Sequence, residues 1–364
     1  MSKSLWLPVC IFNRTSLLIF TCLSEVMFTF ARHSVYHNRR PVSILNFIVG
    51  GIILQSLDKK KARIISNIFF LIVVSLMVLM AVMVGEKEVI FPEVGAISAG
   101  MFLTPHRSWM TDNRKIFAYL LICGIGGMLI VRFVPLPYAV QLILAYTLAL
   151  LIQSVSGTSF MPMISAMVLP VLLHTRSLWY IISLLIFSAL IIVLRMILEK
   201  AGVKRADEYI PVKRTISPGL TAFRIIVSGI MICIAVGSGF RFLAAPPLLV
   251  AFTELSAHKN KVIRLHPYRI IILMALSSAS GSFVRLVFSG LPEIFTVAAV
   301  LLSSVLFMII FENMGPMVPP AGAVMLLSYL IPEKDLLLYP LQILAGISFY
   351  VLISVLKQNR NDNR

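Results

Sequence analysis

Eight stretches of this chain, residues 64–85, 115–133, 136–154, 177–198, 219–237, 269–289, 292–311 and 336–356, are almost uncharged. Each runs for about 20 residues, the length a helix needs to cross the hydrocarbon core of a bilayer. No aqueous core can absorb so many. Hydrophobic residues make up 59% of the 364-residue sequence and charged residues 13%, about half the charged share of an ordinary soluble domain. The mean hydropathy is +0.95. A string of soluble domains is excluded. The expected fold is an all-α, polytopic, multi-pass protein of the cell membrane.

The net charge of +17 does not form one patch. Its basic residues sit in short loops between apolar runs, at 58–63, 105–115, 199–218, 258–269 and after Lys357. That distribution fits the positive-inside rule and contact with anionic membrane lipid, and it argues against a nucleic-acid partner. The loops at 86–88 and 333–335 are net negative. Basic loops on one side predict that the linker at 199–218 and the C-terminus are cytoplasmic. Residues 33–40 are basic as well, so the weakly apolar segment 42–57 is expected to be interfacial or re-entrant; a second weak segment covers 16–31, broken by Glu25.

Four shorter apolar stretches lie between the long ones, at 89–103, 158–173, 243–257 and 316–331. Their order repeats: long, short, long, long, short, long, read once from Ile64 and again from Gly219. Pro92 and Pro247, Arg114 and Arg269, Gly126 and Gly281, and Pro137 and Pro292 share one offset; Gly157 and Gly315, and Pro162 and Pro320, share another close to it. The expected organisation is therefore an N-terminal part (1–63), a first membrane unit (64–198), a basic linker (199–218), a second unit (219–356) and a basic tail (357–364). Each unit has four long spanning helices and two short or re-entrant ones, and the units are related by a pseudo-two-fold axis along the membrane normal.

Enzyme signatures are missing: there is no GxSxG, HExxH or phosphate loop. Cys10, Cys22, Cys123 and Cys233 make no CxxC pair, and no His or carboxylate spacing suggests a metal. The chain is read as a non-enzyme without cofactor or metal. Arg132 and Arg285 near helix ends are read as snorkelling to the interface, and Arg224 and Arg241 as interfacial anchors.

The short stretches carry the chemistry. Proline starts a helix without losing a bonded N–H, and the small residues after it admit a second backbone. Helices beginning at membrane depth turn N–H groups and a partial positive charge inward, which suits an anion. The expected solute-contacting residues are Pro92, Gly95, Ala96, Pro162, Pro247, Pro320, Gly322 and Ala323. The alternative is that prolines and glycines only let tilted helices pack.

Phe91-Pro92-Glu93-Val94-Gly95-Ala96 and Val318-Pro319-Pro320-Ala321-Gly322-Ala323 resemble the two signature segments of the HPP family of integral membrane proteins. Thr111-Asp112-Asn113-Arg114 and His266-Pro267-Tyr268-Arg269 resemble the turn that precedes that family's next span. Glu93 stands for a second proline, and Val318 for the histidine that gives the family its name. The resemblance implies a tandem HPP-like protein, in a family associated with nitrite transport. The function expected is a transporter or permease for a small, anionic solute passing between the short helices of the two halves. The alternative is a membrane scaffold subunit of an envelope-polymer or lipid-handling complex. Partners are then the solute, membrane lipid, and a second copy or a membrane protein.

Overall fold

The computed structural model describes residues 59–212, 217–257, 266–314 and 318–362. The segments expected at 16–31 and 42–57 lie outside the described residues. Twelve α-helices and no strands are found among those described. They are α1 (Lys59–Val84), α2 (Glu93–Ser98, prolonged by a π turn, Ala99–Leu103), α3 (Asn113–Phe133), α4 (Tyr138–Val155), α5 (Pro162–Leu173) and α6 (Trp179–Lys200). After the linker come α7 (Pro218–Ser238), α8 (Pro246–Leu255), α9 (Pro267–Val287), α10 (Phe295–Met314), α11 (Pro320–Leu327) and α12 (Tyr339–Asp362).

Eight of these, all except α2, α5, α8 and α11, are long and apolar enough to cross a membrane. The chain is a polytopic α-helical membrane protein. Hydrocarbon offers no partner for a backbone N–H, so each crossing segment must satisfy its own, and helix is the form that does. The outward faces are what lipid requires. On α1 Ile64, Ile68, Ile72 and Leu76, spaced at four, are exposed, as are Ile226, Ile230 and Ile234 on α7. In water such stripes would mark an association surface.

The short helices occupy the middle. α2 packs on α11, α11 on α8, α8 on α5, and α5 back on α2, closing a ring. The long helices surround it: α3 lies against α5 and α6, α9 against α11 and α12, α1 against α10, and α4 against α7. Glycine makes the tightest crossings possible. A Cβ on Gly95 would fall 2.5 Å from the Gly322 carbonyl oxygen, and one on Gly322 2.5 Å from that of Gly95, so α2 and α11 touch backbone to backbone. Gly127 meets the Met167 carbonyl of α5, and Gly281 meets the Met325 carbonyl of α11, in the same way.

The short helices do not end freely. Their last carbonyls lack intrahelical partners, and a helix C-terminus favours a cation. Arg195 of α6 donates to the Met101 carbonyl at the end of α2. Arg224 of α7 donates to the Thr253 carbonyl near the end of α8 (2.6 Å), and Arg285 of α9 to the Ser328 and Ile331 carbonyls beyond α11. Tyr138 of α4 serves α5 through the Leu172 carbonyl (2.8 Å). Arg224 and Arg285 thus turn inward, where the sequence suggested anchoring and snorkelling. Arg132 is exposed.

Residues 201–212 are more than a connector. The Arg107 guanidinium binds Glu199 with both nitrogens of its fork, and its backbone N–H donates to Asp207 (2.8 Å). Arg195, 1% exposed, binds Glu199 at 2.6 Å and approaches Asp207 at 3.6 Å. The Val212 N–H donates to the Gly157 carbonyl (3.0 Å). The end of α12 reaches the same end of the molecule, since Lys357 donates to the Ser256 carbonyl while Trp109, in the loop after α2, donates to Glu254.

Candidate functional site at the centre of the ring

The two short helices of residues 93–173 enter from opposite ends. The loop before α2 is tied to the start of α6 by the Ser177 N–H donating to Glu88 (3.1 Å). The loop before α5 is tied to the loop after α2, where Ser159 and Met110 exchange bonds. Even so, the first turns of α2 and α5 meet: the Ser165 hydroxyl donates to Glu93 Oε1. Neither helix crosses the bilayer alone. At 1.5 Å per residue, α5 covers about 18 Å of a core about 30 Å thick.

All four short helices contribute one i, i+3 pair to a shared void: Glu93 and Ala96 of α2, Pro162 and Ser165 of α5, Pro247 and Val250 of α8, Pro320 and Ala323 of α11. Its volume is about 10 Å³, scarcely room for one water. Of the residues expected to meet a solute, Ala96, Pro162, Pro247, Pro320 and Ala323 line it. Pro92, Gly95 and Gly322 do not. Pro92 stands just before α2, and the two glycines face each other's carbonyls.

The polarity of the void is one-sided. Pro247 of α8 lines the void where Glu93 does in α2, one residue out of the register that aligns it with Pro92, and Ala323 of α11 lines it where Ser165 does in α5. Among the described residues, the polar side chains lining it are therefore Glu93 and Ser165, each 1% exposed. Glu93 Oε2 is buried and has no hydrogen-bond partner. Three of the four helix starts present proline, which has no N–H to offer it.

The sequence pointed to backbone N–H groups here, and their bonding differs from that expectation. The first ones are already used in tight local turns: Val94 and Gly95 donate to Phe91 and Pro92, Ala321 and Gly322 to Val318 and Pro319, Leu248 to Ala245. Ready-made anion donors are accordingly few. Glu93 and Ser165 were not among the residues singled out from sequence. A signal existed for the first: a lone carboxylate inside an apolar stretch marks a functional group, because its burial is costly. It was read instead as a departure from a proline motif. Ser165 carries no such signal.

Two other cavities flank the ring. The larger, about 190 Å³, lies between the end of α1 and the α9–α10 turn and is bordered by Glu86, Lys87, Arg285, Tyr329 and Glu333. The other, about 120 Å³, lies under the linker beside Arg107, Trp109 and Asp207. Among the described residues, no group of His, Cys, Asp and Glu is placed to hold a metal ion. A comparison with protein families, curated proteins and solved structures finds no match to this chain.

Proposed function

We infer that this chain is a membrane transporter for a small solute, with the path running between the short helices, and that the conformation described here is shut. The observation that carries this reading is the wholly buried Glu93 carboxyl at the point where four short helices begin. Burying an ionisable group in a membrane bundle is costly, and such groups mark ion and solute paths. Broken helices meeting near mid-depth are a transporter device as well. A scaffold gains nothing from either.

Two related halves give such a path its walls. Several packing partners of the first six helices recur when six is added to each number, α3 with α5 and α9 with α11, α2 with α11 and α8 with α5, α4 with α7 and α10 with α1, whereas the packing of α1 on α2 and α6 has no counterpart of like extent at α7. Side-chain details recur too. Phe91 meets the Tyr180 ring edge-on at 5.5 Å, and Phe242 meets Tyr339 at 5.4 Å. Those tyrosines donate to the Ala166 and Val324 carbonyls, on α5 and α11. An even number of crossings per half makes the repeats parallel, and the positive-inside rule predicts a cytoplasmic linker and C-terminus. The segments that resemble HPP-family signatures agree with this reading. An anion was expected from unpaired N–H groups; with those paired, the charge of the solute is left to Glu93.

Flux of small ions and neutral solutes into liposomes holding the purified protein tests this reading. Transport above empty liposomes is expected, with a loss of at least about tenfold in Ala323→Val, whose added methyls narrow the void without the large overpacking cost of a bulkier side chain. A protein that moves nothing favours the scaffold, and flux that the filled void leaves unchanged would put the path elsewhere than between the short helices.

A further inference from the structure

We propose that Glu93 and Ser165 form a proton-binding site, in which the closed ring holds Glu93 as the neutral acid and an opened ring releases its proton to water. This deepens the transport reading and rests on it for the opening step. The carboxyl is 1% exposed. It receives a hydrogen bond from Ser165 at Oε1, Oε2 is buried without a partner, and the residue lines the void. An ionised carboxylate there would have a bare oxygen and no counter-ion, and a charge so placed takes up a proton rather than stay unpaired.

The surroundings supply no alternative. On α6, the Tyr180 hydroxyl is committed to the Ala166 carbonyl, and Arg195 and Glu199 of that helix are bound to each other. On α3, Cys123 is a buried thiol. The charges on α1 are Lys59, Lys60, Lys61 and Arg63, all in its first turns, and α5 and α11 carry none. On α8 the charged residue is Glu254, two turns from Pro247 and bonded to Trp109. A metal cation is a poor rival. Among the described residues, the side-chain oxygens lining the void are those of Glu93 and Ser165, whereas hard cations take six or more oxygens.

The asymmetry between the halves makes the same point. Where the first half presents the acid and its hydroxyl donor, the second presents Pro247 and Ala323. One ring therefore carries one proton. Parting on one side would wet Oε2 and let its proton pass to water, leaving the carboxylate; closing again requires a proton from whichever side then has access.

Infrared difference spectroscopy of the full-length protein at neutral pH tests the site without any solute. A carbonyl stretch of a protonated, buried carboxyl group is expected, lost in Glu93→Gln and retained but moved to higher frequency in Ser165→Ala, which removes the hydroxyl bond to that group. Absence of the band, or a band that both variants leave unchanged, overturns the proposal; the second result would assign it to Glu254. Should Glu93→Gln fail to fold, the Ser165→Ala shift decides alone. Coupling is read in liposomes with a pH-sensitive dye inside: a transported solute should bring protons with it or exchange against them in the wild type. Solute flux without proton movement sinks the proton site and leaves the transporter. A protonated band with no flux of any solute does the reverse.

Discussion

Gly95 and Gly322 let two helix backbones touch, and a single methyl at either position has nowhere to go, because the atom it would meet is a carbonyl oxygen and not a flexible side chain. Gly95→Ala or Gly322→Ala should each destabilise the protein by about 1–3 kcal/mol, the usual cost of overpacking. Gly237→Ala in α7 is the matched control, since a Cβ there has nothing within 4 Å. Thermal melts in detergent check the pair. Arginines divide as sharply. Removing Arg195, which is 1% exposed and shared between Glu199, Asp207 and the end of α2, leaves the buried Met101 carbonyl without its donor and should cost about 1–3 kcal/mol as Arg195→Met. Arg132→Ala, at an exposed position, should stay within about 0.5 kcal/mol. The two were alike to the eye in sequence, as basic residues near the ends of apolar helices. What separates them is the orphaned carbonyl at the end of another helix, far away in the chain, which no local pattern records.

The elements were the most legible level. Length and apolarity placed the eight long helices, because a bilayer imposes both, and proline at the entry of α5, α8 and α11 marked their starts. The linker was less so. Its basic residues read as a solvated connector, while His106, Arg107 and Asp207 in fact clamp it to the loop after α2. Burial alone would raise the Asp207 carboxyl, but the Arg107 N–H, His106 and Arg195 outweigh it and hold the group below the usual carboxylate range. The sign follows. A depressed acid contributes stability above its unfolded value and loses it as pH falls through the lower folded one. Acidification should therefore loosen residues 201–212 first, seen as faster amide exchange there, and Asp207→Asn should melt lower at neutral pH and lose less on acidification. An exchange rate in this segment that ignores both acid and Asp207→Asn would refute the clamp.

At the scale of the whole molecule, the repeated order of long and short segments was visible in sequence, and so was the idea that the short ones share a centre. The chemistry of that centre was not. Prolines and glycines recur in both halves and drew attention by recurring, whereas Glu93 and Ser165 matter because the second half lacks them, and a search for repeats passes over what is not repeated. The ring is closed around about 10 Å³, so a path exists only if the short helices part. Thiol accessibility tests that most directly, with Ala96→Cys in a background where Cys10, Cys22, Cys123 and Cys233 are replaced. Ala96 is 3% exposed and lines the void. A membrane-impermeant thiol reagent should label it slowly from each side of sealed vesicles, while Leu129→Cys on the lipid-facing side of α3 stays unlabelled. Complete protection of position 96 from both sides, in protein that is folded, would contradict the path.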